Sequence, residues 1–248
     1  LIEKAYVTNN IKDLTSLPED ANRIYSGSEY CIKAFPTNFT KLIKELKKQK
    51  PLSLLTPPII ESELPLFYKY FAIFENFASE EDELIINDWG ILHYVTKNKK
   101  TAYKLRLGRF LTYQKRGTQK RNNLVDDTSL SAIPILEKQT VKYLANLGVT
   151  GVDIDIPLYK VKLDEPVELN IAICLPYALN SYTINCPFTF NGSQWGRRCK
   201  RECINLKMLF SNEEVEEPFF QRGKAYYTMA HLLDLPYISR IVHFEWKR

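Results

Sequence analysis

The 248 residues hold 45% apolar and 25% charged side chains and a net charge of +5, proportions that exclude a disordered chain and suffice for one large domain or two small ones. The longest apolar run, Ile171 to Leu179, is about half of what a membrane-spanning helix needs, and Glu3, Lys4, Asn9 and Asn10 break any signal-peptide core, so a cytoplasmic protein without a membrane span is expected. Five cysteines are too few for a disulfide scaffold, and their odd number fits paired bridges poorly.

Short β-prone runs alternate with amphipathic stretches along the chain. Lys4 to Thr8, Arg23 to Ser26 and Cys31 to Ala34 read as strands. Phe39, Leu42, Ile43 and Leu46 recur at helical spacing between Thr37 and Gln49. A strand from Leu52 to Leu55 then leads to a helix between Leu64 and Phe77. Glu83 to Ile86 reads as a strand ending in the polar turn Asn87-Asp88-Trp89-Gly90, followed by a short helix from Ile91 to Thr96. Tyr103 to Leu107 is a strand ending at Gly108-Arg109. A helix is expected from Ile133 to Leu147, with Pro134 in its first turn. Gly151 to Ile156 and Val167 to Leu175 are strands, Ala225 to Leu233 a helix, and Tyr237 to Phe244 a last strand.

Such alternation implies a parallel sheet with helices on its faces. No glycine-rich fingerprint follows the first strand, which removes support for a dinucleotide fold. The expected fold is therefore α/β, a (β/α) barrel-like single domain over residues 1–248, with an incomplete or distorted barrel as a variant. Barrel chemistry gathers at the C-terminal ends of strands, which makes Asn87, Arg109, Asp153 and Asp155 candidates for a catalytic pocket. Asp153 and Asp155, two apart on a strand, share a face; either they bind a cation or a hydroxyl, or Asp153 pairs with a base and Asp155 caps a turn.

Cys186, Cys199 and Cys203 form C-x12-C-x3-C, a spacing that lets three thiolates converge on one centre. Thiolates favour zinc or an iron–sulfur cluster, and Arg197, Arg198, Lys200 and Arg201 suit thiolate charge. Cys31, after Ser26-Gly27-Ser28-Glu29-Tyr30, is the candidate fourth ligand, whereas Cys174 in an apolar strand reads as core. Spacing alone leaves zinc, a cluster and free thiols open. Between Lys97 and Arg121 lie ten Lys or Arg with no acidic residue, a bias that suits either a solvated face or a phosphate-bearing partner. The chain has no H-E-x-x-H and no G-x-S-x-G, and His93, His231 and His243 are scattered, so a peptidase has little support.

The stretches IYSGSEYCIKAFP (24–36), IINDWGILHYV (85–95), LRLGRFLTYQKRG (105–117), LGVTGVDIDIP (147–157) and LPYALNSYTINCPF (175–188) resemble peptidase family U32, the collagenase-like family. With its C-x12-C-x3-C group and one distant cysteine, the chain is most similar to that family's small single-domain members, the UbiV type of oxygen-independent ubiquinone biosynthesis. The resemblance implies a barrel-like fold, a four-iron (4Fe-4S) cluster on Cys31, Cys186, Cys199 and Cys203, and a heterodimer with another U32-family protein. It also implies a part in oxygen-independent hydroxylation. Other members hydroxylate RNA, which keeps an RNA partner open; a zinc-stabilised binding module is the further alternative.

Overall fold

The computed structural model describes residues 2–100, 102–112, 133–157, 166–190, 198–205, 208–211, 218–229 and 237–244. Eight parallel strands close a barrel in the order β1(Glu3–Val7), β12(Ile238–His243), β7(Asn170–Leu175), β6(Val149–Asp155), β5(Lys104–Leu107), β4(Glu83–Ile86), β3(Leu52–Leu55) and β2(Arg23–Gly27). First and last strands pair in register, Ala5 opposite Val242, so the barrel is complete rather than open.

Helices pack outside the barrel where the sequence alternates. Helix α1(Phe39–Lys47) buries Phe39, Leu42, Ile43 and Leu46, one face at helical period, while its lysines stay outside. Helix α2(Leu64–Glu75) follows β3 with Pro65 in its first turn, and α3(Trp89–Asn98) follows β4, its N-terminus capped by Asp88 Oδ1 accepting from the Ile91 N–H at 3.0 Å. The stretch read as one helix from Ile133 divides into a 3-10 turn, Pro134–Leu136, and α4(Lys138–Asn146). These helices cover the outward residues of the strands, Ile24, Leu52, Leu54, Leu84, Ile86, Leu105 and Leu107 among them, and form the main core.

After β7 the chain leaves the barrel and builds a second sheet, β8(Tyr177–Tyr182), β9(Met208–Phe210), β10(Phe219–Arg222) and β11(Ala225–Met229), in the order β8-β11-β10-β9. All its pairings are antiparallel. Two expectations change here. Ala225 to Met229 forms a strand, not the start of a helix, because Gly223 at φ 58° turns a tight hairpin that pairs Arg222 with Ala225; residues 230–233 of that expected helix lie outside the described residues. Cys31 to Ala34 forms a 3-10 turn over Ile32–Ala34, not a strand. Gly27 at φ 106° ends β2, and Ser28 Oγ then accepts from the Tyr30 and Cys31 N–H groups, curling the chain away from the sheet.

The lumen of the barrel is filled unusually. Above lies a small apolar cluster including Ala5, Tyr25, Leu55, Ile85, Ala172, Cys174 and Val242. Toward the N-terminal ends of the strands lie charges: Glu83 accepts both Nη atoms of Arg240 at 2.6 and 2.9 Å and the Ser53 hydroxyl at 2.6 Å. Arg23 and Arg240 both bond Glu3, and Arg106 bonds Asp153 at 2.9 Å. Among the described residues no helix is long and apolar enough to cross a membrane.

Candidate functional site

Three of the four candidate cysteines sit in the insertion after β7, and the fourth follows β2. Each of Cys31 and Cys186 occupies the residue before a 3-10 turn, Ile32–Ala34 and Pro187–Thr189, and Cys203 lies inside a third, Glu202–Ile204. Such turns point backbone N–H groups toward the leading side chain, and those of Lys33 and Phe188 favour the ionised forms of Cys31 and Cys186, against the larger effect of burial. Cys31, Cys186, Cys199 and Cys203 line one cavity of about 130 Å³, together with Glu63, Lys224 and Arg201. Cys174 stands apart in the barrel lumen, 1% exposed.

Side chains bridge the two halves of this cavity. Arg201, left-handed at φ 63° between Cys199 and Cys203, reaches back to the carbonyl oxygens of Ala34 and Phe35 beyond Cys31. Lys224 in the β10–β11 hairpin makes a buried ion pair with Glu63 at 2.8 Å. Tyr30 packs so tightly over Gly223 that a Cβ there would lie 2.5 Å from its ring. Burial pushes the Cys31 thiol up to about 11, against the pull of the Lys33 N–H. Burial, then the negative charge of Cys31, Cys186 and Cys199, pushes Cys203 up to about 12. Cys31, Cys186 and Cys203 therefore resist ionising, and a cation among them would reverse that penalty. Among the described residues no three His, Cys, Asp or Glu side chains close on a single metal ion. Four soft sulfurs lining one cavity are the donor type of a thiolate-ligated metal centre.

Beside this cavity, over the C-terminal mouth of the barrel, opens a pocket of about 610 Å³. Strand ends supply Val7, Gly27 and Leu55; the small sheet supplies Tyr177, Phe220, Arg222 and Tyr227. Ala34 and Arg201 line both cavities and form the shared wall. At its floor Arg109 is fully engaged. Nε and Nη2 hold the two oxygens of Glu29, and Nη1 donates to Asp155 at 2.9 Å and to the Tyr177 carbonyl. Burial alone would lower the Arg109 pKa, but Glu29 and Asp155 hold it well above its ordinary value. Phe244 stacks on the guanidinium at 4.4 Å, and the Tyr227 hydroxyl donates to Glu29 at 2.9 Å.

The structure sorts the four pocket candidates. Asp155 and Arg109 meet at the mouth. Asp153 shares the inward face with Asp155 but lies deeper and pairs with Arg106. Asn87 is a brace: its Nδ2 donates to the Thr56 carbonyl at 2.7 Å and its Oδ1 accepts from the Phe110 N–H at 3.0 Å. A Cβ on Gly108 would lie 2.2 Å from that same Oδ1, so N-D-W-G and L-G-R meet physically. Of the basic stretch, Arg106 and Arg109 are buried inside the barrel and face no phosphate; residues 113–121 lie outside the described residues. His243 stacks on Tyr6 at 4.8 Å, His93 lies exposed on α3, and His231 is outside the described residues.

Residues missed by sequence reasoning are Glu29, Glu63, Arg222, Lys224 and Tyr227. Glu29 and Glu63 carried a weak signal as acids beside apolar or small residues; the other three belong to the sheet that was not foreseen.

The molecule is thus a closed parallel β/α barrel whose mouth is covered by a four-stranded antiparallel insertion. The solved structure of the U32 peptidase Mk0906 shares this fold, with a TM-score of 0.52 and 11% identity over 100% of this chain and 94% of that one. No family model and no curated protein sequence matches the chain.

Proposed function

We propose that this chain is a U32-type iron–sulfur component of an oxygen-independent hydroxylation system, holding a 4Fe-4S cluster on Cys31, Cys186, Cys199 and Cys203. The observation that carries the reading is the common cavity. Cysteines from the loop after β2 and from the insertion after β7 surround one space, one wall away from a ligand-sized pocket. The choice of a polynuclear core over zinc rests on the family resemblance, and four soft sulfurs lining one cavity are donors that suit it.

When bound, such a cluster supplies electron transfer beside the pocket, chemistry that side chains lack. The chain's own residues do the rest. The Lys33 and Phe188 N–H groups stabilise two of the thiolates. Arg201 ties the Cys199–Cys203 turn to the Cys31 turn. Glu29 and Asp155 share the Arg109 guanidinium and so fix the floor of the mouth in one arrangement. Ubiquinone biosynthesis is the setting, with a second U32-type chain as heterodimeric partner. RNA hydroxylation ranks below it, since burial removes Arg106 and Arg109 from the basic stretch.

Anaerobic purification, followed by absorption spectroscopy and iron and sulfide analysis, tests the reading. A brown, oxygen-sensitive protein that loses iron and sulfide in Cys199→Ser while staying folded is expected. Zinc without iron, with Cys199→Ser unable to fold, points instead to a structural module.

A further inference from the structure

The geometry points to the barrel-mouth pocket as a binding site for a small organic oxyanion, its carboxylate or phosphate head seated between Arg201 and Arg222. The inference rests on the mouth being a ligand site and is independent of any cluster. Three guanidinium groups line the pocket, Arg109, Arg201 and Arg222. The charge of Arg109 is spent on Glu29 and Asp155. Among the described residues Arg201 and Arg222 have no carboxylate partner.

Both are instead anchored by backbone oxygens. Nη2 of Arg201 donates to the Ala34 and Phe35 carbonyls, and Arg222 donates through Nε to Cys203 O at 3.4 Å and through Nη2 to Ile204 O at 3.2 Å. Carbonyls orient a guanidinium without neutralising it, so both side chains keep a full positive charge in fixed positions. The Arg201 Nε is also buried with no partner. The ring of Tyr30 lies 5.3 Å under Arg222 and stiffens it further. Of the acidic groups, Glu29 and Asp155 share the Arg109 guanidinium, and Asp13, after β1, keeps its charge while accepting from the Thr8 hydroxyl at 3.0 Å; among the described residues none of the three forms an ion pair with Arg201 or Arg222.

The rest of the pocket is suited to carbon. Tyr177 and Phe220 meet edge to face at 4.4 Å, and Phe220 stacks on Tyr227. An acid head on two arginines with an apolar body on these rings describes an amphipathic acid. Arg201 also belongs to the Cys199–Cys203 turn, so the bound anion touches the same side chain that clamps the cysteine cavity.

Benzoate, phenyl phosphate and the neutral isostere benzamide, titrated by calorimetry into the full chain, test the inference. One of the two acids is expected to bind at least about tenfold more tightly than benzamide, the gain of one charge-assisted hydrogen-bond pair. The tighter acid identifies the head group. Arg222→Gln, with its fold verified by circular dichroism, is expected to bring that acid to the level of benzamide, and Arg222→Lys to recover part of the gap. Arg201→Gln is expected to act alike; should it not fold, Arg222→Gln alone decides. Equal binding of benzamide and both acids, or acid binding unchanged in folded Arg222→Gln, overturns the proposal. Iron analysis of the same samples keeps the two readings separate: acid binding without iron sinks the cluster, and iron without acid binding sinks the anion site.

Discussion

The two ends of the barrel are both rich in buried charge, and they use it in opposite ways. At the N-terminal end Glu3, Glu83 and Asp153 face Arg23, Arg106 and Arg240, carboxylates and guanidiniums in equal number. Most of their hydrogen-bonding capacity is taken up inside the lumen. At the C-terminal end Arg109 is saturated, but among the described residues Arg201 and Arg222 pair with backbone carbonyls and no carboxylate, and Glu63 Oε2 and the Tyr182 hydroxyl are buried without partners. A network this close to saturation, with Asp153 Oδ2 its unpaired carboxylate oxygen, mainly stabilises. Unspent donors and acceptors around a cavity can still be used on a ligand, and in barrels of this kind that division between the two rims is the expected one.

The strongest way to break the comparison is to remove a charge from the saturated end. Glu83→Gln leaves Arg240 with a neutral partner and Arg23 and Arg106 short of a nearby countercharge, at a cost of about 3–5 kcal/mol by urea denaturation. The pH dependence follows from the same group. Burial raises the Glu83 carboxyl, but Arg106, Arg240 and Arg23 outweigh it and hold the group at about 2, below the ordinary 4.5. Because the folded value is the lower one, its stabilisation is whole above about pH 4.5 and is lost as pH falls toward about 2. Wild type should therefore lose stability steeply in that window, and Glu83→Gln should be flatter there. Asp153, with one oxygen on Arg106 and the other without a partner, is pushed upward by burial and does not share this behaviour.

Much of the barrel was legible because its physics is local. The inward and outward alternation of β2, β4 and β6, and the apolar face of α1, are written in consecutive residues, and the predicted ranges of β3 and β4 coincide with the observed strands. The lumen network was not legible, since Glu83 and Arg240 meet across 157 residues of sequence and only closure of the barrel brings them together. The insertion was misread for a different reason. Ala225-Tyr226-Tyr227-Thr228-Met229 has residues compatible with either helix or strand, and its partners β8 and β10 were not recognised. The turn signal Arg222-Gly223-Lys224 was the available clue. At the site the cysteines were visible by spacing, whereas Arg222, Lys224 and Tyr227 act only through the hairpin that presents them.

Between the two ends, the junction of β5 with its following loop should give an intermediate effect. Gly108→Ala places a methyl group 2.2 Å from Asn87 Oδ1, and the buried Asn87 cannot move without breaking its bonds to Thr56 and Phe110. A loss of about 1–3 kcal/mol is expected in thermal or urea unfolding. A variant as stable as wild type would show that the brace yields, and that N-D-W-G and L-G-R are not coupled through packing.

At the cysteine cavity stability and binding should separate. Cys199 is half-buried and its turn is held by Arg201, so Cys199→Ser in metal-free protein should change stability by no more than about 0.5 kcal/mol. The same variant should lose bound iron. A large loss of stability without metal would place this rim with the structural one.

A small effect, opposite in sign to the others, is expected at Tyr182, and it sharpens the contrast most directly. Its ring packs edge to face on Phe110 at 5.2 Å, while its hydroxyl is buried with no hydrogen-bond partner. Burial, then the charges of Glu63 and Cys31, keep the phenol protonated well above its ordinary value, so it is a donor with nothing to donate to. A buried polar group that makes no bond has already lost its water, and deleting it returns that penalty. Tyr182→Phe should therefore leave stability unchanged or raise it by up to about 1 kcal/mol, whereas the same kind of deletion at the opposite end, Tyr25→Phe, removes the oxygen that accepts from Arg240 at 2.8 Å and should cost about 1 kcal/mol or more. Paired urea denaturation curves of the two variants measure the difference. If Tyr182→Phe proves as costly as Tyr25→Phe, the mouth is satisfied in solution like the lumen, and its orphan groups no longer mark a place kept for a ligand.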